Sequence, residues 1–147
     1  MSSMPKGVDW YVGPLENAMS QAKKEGRPLF LYCGAVWCPP CNQMKKTVFS
    51  KVEFQKTIKN FIPVYLDGDD NRAQKWGEKL NAKGYPTMII LGPLGNEIMR
   101  LPTGVGVESY VELMNIAKSK LESMDIVLKR ALANKASSSD WKLLSGF

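Results

Sequence analysis

The chain has 147 residues, of which 44% are hydrophobic and 23% are charged, with 20 Lys and Arg against 14 Asp and Glu. It is long enough for one core and too short for two ordinary domains, and no apolar run reaches the roughly 18 residues of a membrane span. The net charge of +6 is scattered among acids along predicted helices, which argues against nucleic-acid binding. The sequence contains no histidine, which excludes Cys-His and Ser-His catalysis and removes the commonest zinc ligand.

The first part of the chain predicts strands that alternate with a helix. We expect a short strand at 8–12, then a helix that Gly13 and Pro14 open, with proline at a tolerated first position, and that ends at Gly26. The apolar run at 28–33 has the length of a buried strand, which is typical of parallel sheets. The helix between them carries one apolar stripe, formed by Leu15, Ala18, Met19 and Ala22.

Two helices and a strand are predicted next. A helix with its body at 42–47 is followed by a second helix at 52–58, for which Ser50 is the expected N-cap. The segment 61–66 reads as a strand. Since Pro63 has no N–H to donate, we expect it at a sheet edge, at a bulge, or beside a short neighbour.

The remaining elements are a helix, a hairpin and a long helix. Residues 67–71 are turn-forming; they lack the ligand spacing of a calcium loop, and helix capping is the favoured interpretation. The next helix, at 72–82, buries Ala73, Trp76 and Leu80. Strands at 87–91 and 97–101 form a β-hairpin. The last helix runs from Val107 to about 133, with core positions Tyr110, Leu113, Met114, Ala117, Leu121, Met124 and Leu128.

This order predicts an α/β fold with a mixed sheet of four to five strands and helices on both faces. We assign 1–9 to a polar lead, 10–133 to the domain, and 134–147 to a linker with the start of a further helix or a docking tail. The lead has no apolar h-region, so no signal peptide is visible in it.

Two of the three cysteines, Cys38 and Cys41, are separated by two prolines. Such a pair at a helix start can close a disulfide and reopen it by thiol exchange. The alternatives are a static disulfide and a half zinc site that carboxylates and Cys33 would complete, although Cys33 fits a buried inert thiol better. Trp37 is either part of the core or a contact platform.

The sequence resembles the thioredoxin fold family. The resemblance rests on 37–41 (WCPPC) after an apolar strand, on 85–87 (YPT) before the hairpin, and on the strand order. The lead-in helix and the second helix after the cysteines are similar to the exported thioredoxin-like thiol oxidoreductases related to the C-terminal domain of DsbD. The resemblance implies an exported or periplasmic location.

The resemblance also implies the roles of individual residues. Cys38 is the attacking thiolate and Cys41 the resolving thiol, and Pro86 is a cis-proline that faces them. Tyr32 stands where thioredoxins usually place a buried aspartate, so the proton of Cys41 must leave by water, by the tyrosine hydroxyl or by another carboxylate. The implied substrate-binding residues are Trp37, Pro39, Pro40, Tyr85, Pro86 and Thr87.

We therefore predict a thiol-disulfide oxidoreductase that reduces protein disulfides or relays electrons to them. It would use no metal or organic cofactor, because the dithiol is itself the redox centre, and we expect a monomer that meets protein substrates and a redox partner. The alternative is an interaction module in which the thiols are incidental and the tail at 140–147 docks a partner.

Overall fold

The computed structural model describes residues 7–11, 13–82 and 84–132; the predicted linker and tail at 134–147 lie outside these ranges, as does most of the polar lead. A π-helical turn at Lys45–Phe49 and a 3-10 turn at Ile58–Asn60 extend two of the helices. The elements, in chain order, are α1 (Leu15–Glu25), β1 (Leu29–Gly34), α2 (Pro39–Met44), α3 (Val52–Thr57), β2 (Ile62–Asp67), α4 (Asn71–Lys79), β3 (Thr87–Leu91), β4 (Glu97–Leu101) and α5 (Val107–Leu132).

A four-stranded mixed sheet in the order β2-β1-β3-β4 forms the centre of the fold. β1 pairs parallel with β2 and antiparallel with β3, and β3 and β4 form the hairpin. The predicted mixed sheet and hairpin are confirmed. The strand predicted at 8–12 is wrong, because the described part of that segment makes a single bridge, from Tyr11 to Val64. The Trp10 N–H donates to the Val8 carbonyl at 3.0 Å, so this segment makes a local turn where a strand would pair with its neighbour.

Pro63 lies in the edge strand β2, as predicted for one of its three settings. Its carbonyl oxygen accepts a hydrogen bond from the Tyr11 N–H at 2.7 Å, on the outer side of the strand. Since the N–H and C=O of one strand residue point to the same side, the missing N–H of Pro63 would have faced outward. The pairing of β2 with β1 therefore does not depend on it.

Alternate residues of β1 support separate cores on the two faces of the sheet. Phe30 and Tyr32 face a cluster with side chains of α2, α3 and α5, whereas Leu29, Leu31 and Cys33 face a cluster with α1. All six residues of β1 are buried. The central strand therefore carries helices on both faces, which is why its sequence is continuously apolar.

The predicted N-cap of α3 is corrected. Ser50 is not the N-cap of α3: its hydroxyl donates to the Lys46 carbonyl at 2.6 Å, and Lys51 takes the cap position without a side-chain bond. The preceding helical turns run on to Phe49, so Ser50 ends that helix instead of starting the next.

The helix α4 ends at Lys79 and not at 82. Asn81 adopts a left-handed φ of 56°, and the Ala82 N–H donates to the Gly77 carbonyl at 2.7 Å, a bond that closes a helix end. Trp76 and Leu80 pack against the α1 cluster as predicted, and the side chain of Ala73 lies outside the described part of the chain.

The last helix, α5, buries Tyr110, Met114 and Ala117 as predicted, but Leu128 is exposed and its neighbour Val127 is buried. A straight helix drifts relative to its apolar stripe over this length, so the buried position moves by one residue. Within the described ranges, no helix combines the length and the apolar character needed to cross a membrane.

Candidate active site

Cys38 and Cys41 form a disulfide at the carboxyl end of the central strand. β1 ends at Gly34, and the chain turns so that the Cys38 N–H donates to the Ala35 carbonyl at 3.3 Å. The two prolines between the cysteines take the first helical positions of α2, where a fixed φ is suitable and an N–H is not needed. The Cα atoms of the cysteines are 5.2 Å apart. The motif thus lies at a helix start, as predicted.

The two cysteines have different electrostatic surroundings. Cys38 is the N-cap of α2, and its Sγ accepts a hydrogen bond from the Cys41 N–H at 3.2 Å. The helical turns continue from Pro39 to Phe49, and a helix N-terminus stabilises an adjacent negative charge by about 0.3 to 1 kcal/mol. Cys41 lies one turn inside and is 0% exposed, against 3% for Cys38. The N-cap position and the N–H donor therefore distinguish Cys38 from Cys41.

Trp37 lies on the surface beside the disulfide and is 59% exposed. Its Nε1–H donates to Asp69 Oδ1 at 3.0 Å, and its ring meets the Tyr85 ring edge-on with centroids 5.5 Å apart. These contacts hold the indole in a fixed orientation. This exposure excludes the core interpretation of Trp37.

The loop before β3 supplies the other side of this surface. The Tyr85–Pro86 peptide bond is cis, Pro86 is buried, and Thr87 Oγ1 donates to the Gly84 carbonyl at 2.8 Å. Gly68 makes room for Tyr85, because a Cβ at Gly68 would lie 2.7 Å from the Cζ atom of the phenol ring. Tyr85 thus packs between the loop after β2 and Trp37.

Three loops therefore meet at one edge of the sheet, at 35–38, 68–70 and 84–86. The carboxyl ends of the parallel strands β1 and β2 point to this edge, and the antiparallel strand β3 starts there. Such an edge is where open α/β sheets commonly bind ligands. The structure thus brings Trp37 and Tyr85 together at the disulfide edge. Pro39, Pro40 and Thr87 lie beside them in sequence.

Sequence reasoning did not identify two residues of this surface, Asp69 and Gly68. Both belong to the segment 67–71, whose residues predict turn and helix-capping chemistry, and the Asp69 N–H donates to the Asp67 side chain at 3.0 Å in such a turn. The partner of the Asp69 carboxylate, however, is 32 residues away. No local pattern could have indicated that contact.

Cys33, the free thiol, lies on the other face of the sheet from the disulfide cluster. Burial raises the pKa of the Cys33 thiol to about 11, although the nearby Arg100 guanidinium acts in the opposite direction. The three sulfurs therefore do not converge, which argues against the zinc interpretation. Among the described residues, no three His, Cys, Asp or Glu side chains are grouped as metal ligands.

Comparisons with known proteins agree with this geometry. The thiol:disulfide interchange protein DsbD of Cronobacter sakazakii is 35% identical over 89 residues, which make up 59% of this chain and 15% of that protein. The chain thus matches a small part of the length of this relative. A thioredoxin from Thermus thermophilus superposes with a TM-score of 0.68 and 23% identity, over 78% of this chain and 89% of that one.

The oxidised C-terminal domain of Neisseria meningitidis DsbD superposes with a TM-score of 0.62 and 20% identity, over 70% of this chain and 92% of that one. At such identities these structures show the fold alone. The family model of the thioredoxin-like domain matches residues 15–118, from α1 into α5. This chain belongs to the thioredoxin-like domain family.

Proposed function

We propose that this protein is a thiol-disulfide oxidoreductase that reduces disulfides of other proteins, or relays electrons to them, through Cys38 and Cys41. The observation that carries the proposal is the disulfide at the N-terminus of α2, beside an exposed tryptophan, in a thioredoxin-like chain. Similarity to a thiol:disulfide interchange protein supports the same reaction class.

The reduced protein would act in two steps. The Cys38 thiolate attacks a substrate disulfide, one substrate sulfur leaves as a thiolate, and a mixed disulfide joins Cys38 to the other sulfur. Cys41 then loses its proton and attacks Cys38 Sγ, which releases the second substrate sulfur and restores the Cys38–Cys41 bond. Two electrons pass from the dithiol to the substrate, so the pair needs no metal or organic cofactor.

Reduction is the favoured direction because little in the motif stabilises the thiolate strongly. The helix end contributes about 1 kcal/mol, up to ~2, and one pKa unit is about 1.4 kcal/mol. The helix end by itself is thus a modest source of thiolate stabilisation. The two intervening residues are uncharged prolines, and a reduced form without further stabilisation belongs to a less oxidising couple.

The substrate would bind as an extended segment along the edge that Trp37 and the loop before β3 form. Tyr85 precedes the cis-proline, and its backbone would pair with the substrate in a short β-augmentation. The ring of Trp37 offers an exposed apolar surface beside Pro39 and Pro40. The contact with the substrate would end at Thr87, the first residue of β3.

The substrates and the redox partner in this proposal are protein thiols and disulfides, met by a monomer. The resemblance to the DsbD-related branch supports an exported or periplasmic location, where disulfides form and persist. Because the matched segment is a small part of DsbD, the partners of the whole DsbD protein are not proposed for this chain.

A stoichiometric assay tests the function. Fully reduced protein, freed of small thiols, is mixed with oxidised insulin, and new insulin thiols are measured. We expect about one insulin disulfide reduced per Cys38–Cys41 pair. The variant Cys33→Ser is the matched control and should transfer the same number of electrons, because that thiol lies on the other face of the sheet. If the insulin thiols do not rise above the protein-free background, the proposal is rejected.

A further inference from the structure

The hydroxyl group of Tyr32 has no hydrogen-bond partner. Among the buried side-chain nitrogen and oxygen atoms of the described residues, it is the one atom that lacks such a partner. The residue is 0% exposed, its ring stacks on Tyr65 with centroids 5.5 Å apart, and it meets the Phe49 ring edge-on at 4.9 Å. A buried hydroxyl without a partner is unfavourable and unusual in a native fold.

The hydroxyl points along β1 toward the edge that carries the disulfide. Gly34, two residues on, shares the face of the strand with Tyr32, and a Cβ there would lie 2.7 Å from the phenol oxygen. Glycine thus lets the phenol extend over the last residue of β1, immediately before the turn that leads to Cys38. The fully buried Cys41 belongs to the same side-chain cluster as Tyr32.

Reduction changes what this cluster offers to a donor. In the oxidised protein the sulfurs are joined, and a disulfide sulfur is a weak acceptor. When a dithiol reductant supplies two electrons and becomes a disulfide, the Cys38–Cys41 bond breaks and both sulfurs are released as thiols or thiolates. A Cys41 thiolate is a charged acceptor for which a hydroxyl is a strong partner. The unpartnered hydroxyl thus extends over Gly34 toward the edge of the sheet at which a new acceptor forms.

We propose that the Tyr32 hydroxyl donates a hydrogen bond to the Cys41 sulfur of the reduced protein, directly or through one water, and thereby favours the Cys41 thiolate. This inference rests on the proposed function, because Cys41 must ionise to resolve a mixed disulfide. In that step the Cys41 proton goes to water, the thiolate attacks Cys38 Sγ, and the substrate sulfur leaves as a thiolate.

Tyr32 acts as a donor and not as the base. Burial raises its pKa above the ordinary range, and the titratable neighbours that act on it, Tyr65 from β2 and Cys33 from β1, raise it further. From the N-cap and the first turn of α2 the cluster adds Cys38 and Cys41, which do not titrate while joined. The phenol therefore keeps its proton throughout the reaction.

The variant Tyr32→Phe tests this assignment, because it keeps the ring and removes the hydroxyl. The equilibrium constant between the Cys38–Cys41 disulfide and dithiothreitol is measured for both proteins. At a pH at which Cys41 of the reduced protein is ionised, we expect Tyr32→Phe to shift it about tenfold toward the disulfide, which is about 30 mV for a two-electron couple. Oxidised Tyr32→Phe should also unfold at the same or a higher denaturant concentration than the wild type, because an unpartnered polar group is removed.

The matched control is Tyr110→Phe. That buried hydroxyl already donates to the Pro102 carbonyl at 2.8 Å, so its removal should destabilise the fold and leave the redox constant within about twofold.

In a Cys33→Ser, Cys38→Ser background, Tyr32→Phe should raise the pH at which the Cys41 thiolate absorbance appears by about one unit.

An unchanged Cys41 titration in folded Tyr32→Phe, or an unchanged redox constant at a pH at which Cys41 is ionised, would overturn the inference and leave the proposed function intact. Conversely, failure of the wild type to reduce insulin would reject the proposed function, whereas the dithiothreitol comparison needs no protein substrate and reports on Tyr32 by itself.

Discussion

Replacing Cys38 by serine should reduce electron transfer to insulin to the protein-free background. A serine hydroxyl cannot form the mixed disulfide that starts the reaction, and the remaining site thiol, Cys41, is fully buried one turn inside α2. The reduced variant is compared with reduced wild type under single-turnover conditions, with insulin thiols measured over time.

The matched control for Cys38→Ser is Cys33→Ser, which also removes one sulfur from the chain but on the other face of the sheet. It should keep the wild-type rate. Substantial insulin reduction by Cys38→Ser would mean that another group attacks the substrate, and the roles given to the two cysteines would then be wrong.

Replacing Cys41 by serine should have a different result, the accumulation of a stable mixed disulfide. Cys38 still attacks, but the intramolecular thiol that would displace the substrate is gone. Well-oriented intramolecular reactions correspond to effective concentrations of about 10⁵ M or more, so millimolar external thiols replace Cys41 very poorly. The adduct should be visible on a non-reducing gel and by intact mass, and dithiothreitol should release it.

The double variant Cys38→Ser, Cys41→Ser is the control for this trapping and should form no adduct, since Cys33 is buried with a raised pKa. Trapping that persists in the double variant would show that Cys33 reacts. Rapid turnover by Cys41→Ser without an adduct would show that Cys41 does not resolve the mixed disulfide.

Much of the fold could be predicted because it depends on local patterns. The continuous apolar run of β1 indicated a strand buried on both faces, and the turn residues between β3 and β4 indicated the hairpin. Local signals were less reliable at boundaries. Ser50 has the chemistry of an N-cap, yet it ends the preceding helix, because the π-helical turn extends that helix to Phe49.

The site was only partly predictable for the same reason. The cysteines and prolines of 38–41 carry their geometry with them, since proline and a helix start fit one another locally. The contact of Asp69 with Trp37 and the space that Gly68 leaves for Tyr85 join segments that meet only in the folded sheet. The resemblance to thioredoxins singles out Tyr32 because an aspartate is usual at its position, but its unpartnered hydroxyl is visible only in the folded structure.

The central claim, that Cys38 and Cys41 form a reductive redox couple, is tested most directly by a redox titration. The fraction of oxidised pair is measured against glutathione and dithiothreitol buffers by alkylation and intact mass. A midpoint near that of thioredoxin, about −270 mV, is the predicted result. A midpoint near about −120 mV, typical of a strong oxidant, would contradict the claim.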